Sequence, residues 1–151
     1  MTALTPILIA LIAILAGALN TVQAGANATL QKALGQPVLV ALTVSAANAV
    51  VYLAAVPFVG LGWPGTSRFA QVPWWAWLGG ALGGAYVLAM IFLAGRLGAA
   101  LFTGLTVTAG LVTSVLLDHF GWVGFAQHPA GFGRLLGCGL MIAGVALISL
   151  S

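Results

Sequence analysis

PILIALIAILAGALNTVQAGANATLQKAL, residues 6–34, decides the fold. The stretch carries no charge before Lys32. It exceeds the ~20 residues a helix needs to cross a ~30 Å hydrocarbon core. Within it, Asn20, Gln23, Asn27 and Gln31 follow one another at spacings of three, four and four. At about 100° per residue those steps put all four amides on one helical face. Gly17 lies near the same side. A polar stripe inside a membrane span is tolerated where it faces other helices or a wet cavity.

The rest of the chain has the same character. Of 151 residues, 62% are hydrophobic and 3% charged, and the mean hydropathy is +1.19. Soluble domains carry about 25% charged residues. The composition implies a single transmembrane domain over residues 1–151 with no separate soluble part. Four Lys and Arg residues spread along the chain form no basic patch, so the pI near 9.8 does not point to nucleic acid. One cysteine, Cys138, excludes an intrachain disulfide. No group of Cys, His and carboxylate residues has ligand spacing, so neither a metal nor a cofactor is expected. Ala24-Gly25-Ala26 looks like a signal-peptide cleavage site. No Lys or Arg precedes the apolar run, however, so the segment is expected to stay as a helix.

Five spans follow, at about 6–34, 37–59, 73–95, 97–117 and 132–150, which makes an all-α membrane protein. Pro6 suits a first helical turn, and Lys32 and Gly35 mark the first end. Pro37 restarts the chain and Pro57 bends or ends the second span. Residues 60–72 hold Pro64, Gly65, Ser67 and Arg68 and read as a loop. Arg96 sits in a short turn. Asp118, His119, His128 and Pro129 belong to the last loop.

Loop cations set orientation. Lys32 and Arg96 fall on one side; Arg68, Arg134 and the terminal amine fall on the other. So small a bias allows insertion both ways, and two opposed copies then pair as an inverted dimer of ten helices, a common transporter plan. The alternative is one orientation set by a weak signal or by a partner. Trp63, Trp74, Trp75, Trp77 and Trp122 map to the side of Arg68 and Arg134, as an interfacial belt does; the alternative is a gate or an aromatic cation site.

The candidate substrate-binding residues are Asn20, Gln23 and Asn27 on the first span, Ser45, Asn48 and Tyr52 on the second, and Tyr86 on the third. Ser45, Asn48 and Tyr52 share a face by the same periodicity, so the two polar faces are expected to meet. Amides offer donors and acceptors without charge. The competing reading for the stripe is hydrogen bonding between helices. Gln31 is expected at the interface, solvated. Thr103 and Thr106 are expected to bond their own helix backbone. Asp118, the only acid, is either a proton or cation site beside His119 or an interfacial anchor paired with Arg134 or loop backbone. Gly79, Gly80, Gly83 and Gly84 form interleaved GxxxG patterns, fit for close helix packing within a subunit or in a dimer. No nucleophile–base pair or phosphate loop appears, so an enzyme is not expected.

These residues carry a resemblance. Gln23-x-x-x-Asn27-x-x-Leu30, Gly35-Gln36-Pro37, Trp77-x-Gly79-Gly80-x-x-Gly83, Arg96-Leu97-Gly98-Ala99-Ala100, Leu117-Asp118-His119-Phe120-Gly121 and Arg134-x-x-Gly137 to Gly144-Val145 together resemble the YdcZ-like inner-membrane exporters of bacteria. Those are short members of the drug/metabolite transporter superfamily. The resemblance covers essentially the whole chain, and the Asp-His-Phe-Gly run is its most specific piece. It implies a five-helix, multi-pass inner-membrane protein that works as a ten-helix pair. Its partner is a second copy or a related chain of opposite orientation. The family is also similar to four-helix multidrug exporters that use a glutamate in the first helix. No glutamate exists here, which puts proton exchange through the first span in doubt. The pattern points to Gln23, Asn27, Asp118 and His119 without assigning them roles.

The function expected is alternating-access export of a small polar or cationic metabolite or drug. The alternatives are a non-transporting membrane subunit, whose polar stripes are helix glue, and a passive channel.

Overall fold

The computed structural model describes residues 4–62 and 65–151. The elements are α1 (Leu4–Leu34), α2 (Pro37–Val59), α3 (Thr66–Ala70), a 3-10 turn (Trp74–Trp77), α4 (Leu78–Leu97), α5 (Ala99–Phe120) and α6 (Phe132–Leu150). All are helical. Five stretches are long and apolar enough to cross a membrane: Pro6–Leu34, Pro37–Val59, Trp74–Leu97, Ala99–Phe120 and Phe132–Leu150.

Glycine and proline set the boundaries. The Gly35 N–H reaches Gln31 O at 2.9 Å with φ +67°, beyond a last turn that holds Lys32. Pro37 opens α2, where its missing N–H costs nothing. Pro57 lies inside the last turn of α2 before Gly60 ends it. Gly98 alone separates α4 from α5, at φ +82°.

Several details differ from the sequence reading. Arg96 belongs to the last turn of α4 rather than to a turn. The connection at 60–72 contains α3, too short to show a periodicity. The fourth span does not stop at Leu117: α5 continues through Asp118, His119 and Phe120, because the left-handed Gly121 closes it there. Trp63 and Pro64 lie outside the described residues.

The helices gather in two compact units, Met1–Gly95 and Arg96–Ser151. In the first, Val40 and Val44 of α2 bury against Ile91 of α4, flanked by Leu30, Ala41 and Val87. Helix α1 meets α4 where a Cβ on Gly95 would stand 3.6 Å from Ala28 Cβ. In the second, α5 packs on α6, and Gly104 brings the two close enough that a Cβ there would lie 3.1 Å from Val145 Cγ2. Few side chains are buried in either unit. Ile7, Leu8, Ile9, Leu11 and Ile12 are each more than half exposed. Apolar residues exposed on every side of a helix this long are the mark of a lipid-facing span.

Candidate functional site

The first unit holds every residue of the polar stripes. On α1, Asn20 and Asn27 turn toward α4. Asn20 Nδ2 donates to Tyr86 Oη at 3.4 Å, a long bond. Asn27 is 4% exposed, and its Nδ2 donates to Met90 Sδ at 3.3 Å. A thioether is a weak acceptor, so this amide is held by a modest bond in a shielded place. Gln23 is half-buried and makes no hydrogen bond among the described residues. Gln31, expected to be solvated, has instead a shielded Oε1 with no partner among the described residues. The helix continues to Leu34, so Gln31 still lies within its last full turn.

On α2, Ser45, Asn48 and Tyr52 open onto a recess of about 370 Å³, together with Gly80, Gly83, Gly84 and Val87 of α4. Asn48 stands midway along α2, eleven residues from either end. None of the three polar side chains has a hydrogen-bond partner among the described residues. The polar faces of α1 and α2, expected to meet, make no hydrogen bond to each other among the described residues; Asn20 and Asn27 bond α4, and Ser45, Asn48 and Tyr52 share a recess with it. Asn20, Gln23, Asn27 and Tyr86 lie outside the recess lining.

A Cβ built on Gly79, Gly80, Gly83 or Gly84 meets no heavy atom within 4 Å. Within the first unit, no described residue presses on them. What lies against three of them is the recess. Neither this lining role nor that of Met90 as acceptor carries a mark in the sequence: GxxxG reads as packing, and methionine reads as core.

The second unit carries the one acid, Asp118, with Arg134 beside it. Arg134 Nη1 stands 3.3 Å from Asp118 Oδ2 and also donates to His128 O at 3.2 Å. The His128 N–H reaches Asp118 O at 2.7 Å. His119 Nδ1 accepts from the Ala130 N–H at 3.0 Å, and Gln127 Nε2 donates to His119 O at 3.1 Å. Because an amide N–H can only donate, Nδ1 is unprotonated in this arrangement and Nε2 carries the ring hydrogen. Together these bonds tie the 121–131 connection to the end of α5. Asp118, Arg134, Ser114 and Cys138 line a second cleft, also of about 370 Å³. On α5, Thr106 Oγ1 donates to Phe102 O at 3.0 Å, within its own helix. Thr108 is buried, and its Oγ1 has no partner among the described residues.

No curated protein and no solved structure matches the chain. A family model described as "Putative inner membrane exporter, YdcZ" matches residues 8–147. With the five membrane-length helices, this makes the protein a multi-pass protein of the inner membrane, and the chain belongs to the YdcZ inner membrane exporter family.

Proposed function

We propose that the protein exports small polar or monocationic solutes by alternating access, working as a pair of oppositely oriented copies. One observation carries the reading: the Asn48 side chain, midway along a membrane span, makes no hydrogen bond among the described residues and opens on a recess it shares with Ser45 and Tyr52. An amide left bare in hydrocarbon costs several kcal/mol, on the order of 4–8 by transfer to a solvent that cannot hydrogen-bond. Something polar must meet it. A solute in transit, with a second copy closing the recess, supplies that partner. The weak charge bias of the loops supports opposed orientations. No carboxylate lies in the first unit's spans, which favours hydrogen-bonding solutes over polyvalent cations.

Asp118 and His119 act in this account as a clamp on the last connection, supported by their bonds to Arg134 and Ala130.

The test is counterflow in proteoliposomes with a panel of uncharged amides and monovalent organic cations. The protein is expected to accelerate at least one of them over protein-free vesicles. Asn48→Ala is expected to abolish that flux while the chain still folds. Uphill accumulation under an ion gradient separates a carrier from a channel. A folded protein that moves none of the panel contradicts the reading. It would favour a non-transporting subunit, for which the Asn20–Tyr86 and Asn27–Met90 bonds are the supporting observation.

A further inference from the structure

We infer that Gly80, Gly83 and Gly84 are the floor of the solute recess and set its size limit, and that the solute seated there is an uncharged amide-type molecule. The inference rests on the transporter reading above and narrows it. Glycine in a membrane helix ordinarily serves close helix approach. Here a Cβ on any of the three meets no heavy atom within 4 Å. The room they leave is the recess itself, about 370 Å³ and open on one side. Gly79 is equally open but lies outside the lining, which makes it an internal control.

The facing wall fixes the chemistry. Asn48 brings one amide, Ser45 and Tyr52 bring two hydroxyls, and Val87 adds an aliphatic edge. The Asn48 side chain presents a donor and an acceptor side by side, the complement of another amide. No carboxylate, guanidinium or ammonium group lines the recess, so an ion entering it would lose water without gaining a countercharge. The glycine floor leaves only backbone under the solute. A methyl group added there takes space from the solute and meets no heavy atom of the described residues within 4 Å. Alanine at the floor should therefore change which solute fits rather than whether the chain folds. Discrimination of one methylene in a pocket amounts to about 10–200-fold.

The test uses the full chain in lipid nanodiscs and two probes that are uncharged at neutral pH, nicotinamide and the larger quinoline-3-carboxamide. Binding is read by saturation-transfer NMR, and self-association by light scattering. Both probes are expected to bind the unaltered protein, and Asn48→Leu is expected to weaken both. Gly83→Ala and Gly84→Ala are expected to lower the affinity for quinoline-3-carboxamide about tenfold more than that for nicotinamide, and Gly79→Ala to leave both unchanged. The inference is overturned if neither probe binds, if Gly79→Ala matches Gly83→Ala, or if Gly83→Ala dissociates the dimer without changing the affinity ratio. Nicotinamide counterflow over protein-free vesicles separates the two levels. A shifted ratio without flux leaves the recess standing and removes the transporter; flux with an unshifted ratio removes only the glycine floor.

Discussion

Asn27 Nδ2 stands 3.3 Å from Met90 Sδ, and both side chains are almost wholly shielded. An amide that would be expensive in hydrocarbon is thus held by a weak acceptor. Met90→Leu keeps the volume and removes the acceptor. It is expected to destabilise the protein by about 1 kcal/mol, through the donor left unpaired. In an Asn27→Leu background the same change should cost much less. A double-mutant cycle of unfolding in detergent reads the difference. Equal costs in both backgrounds would mean that the bond contributes nothing.

Asp118 and Arg134 give the opposite expectation. Their side chains are 31% and 44% exposed, and ion pairs of this kind are worth about 0–1 kcal/mol. Asp118→Asn is therefore expected to cost less than about 1 kcal/mol and to leave gradient-driven flux in place. Complete loss of flux with an intact fold would instead make Asp118 the coupling carboxylate.

His119 is expected to matter as an acceptor rather than as a base. In His119→Asn, Oδ1 takes the place of Nδ1 and still receives the Ala130 N–H; His119→Ala leaves that amide bare. The alanine variant should lose about 1 kcal/mol of local protection at Ala130 in hydrogen exchange, and the asparagine variant little. Equal exchange in the two variants would contradict the clamp.

Val123 is the one non-glycine residue with positive φ among the described residues, at 56°. The Phe125 N–H closes a turn onto Trp122 O at 3.1 Å, and Gly124 follows with φ +83°. Positive φ at both central positions marks a mirror-image type I turn, where a β-branched residue is strained. Val123→Asn is expected to stabilise the protein by about 1 kcal/mol. A lower melting temperature for that variant would show that the Val123 side chain holds contacts outweighing the strain.

Much of the fold was legible because the bilayer simplifies it. Apolar runs of membrane length, punctuated by Gly35, Pro37 and Pro57, leave little choice of element. The end of α5 was misplaced because Asp118 and His119 look like loop residues. Only the left-handed cap at Gly121, a matter of backbone geometry, shows that the helix carries them. The candidate site was half legible. Periodicity put Asn20 with Asn27, and Ser45 with Asn48 and Tyr52, on shared faces. It could not say that both faces turn to α4, because spacing fixes a direction and not a neighbour. For the same reason the glycines of α4 read as a packing seam: a missing Cβ signals available space, but not what fills it.

The most direct measurement is orientation. Ser67→Cys and Ser151→Cys, each in a Cys138→Ala background, are labelled in intact cells with a membrane-impermeant thiol reagent and again after lysis. Both positions are exposed and flank different spans. An inverted pair of identical chains predicts that each cysteine labels on both sides of the membrane. Labelling of each on one side alone would contradict the paired exporter and call for an oppositely oriented partner chain.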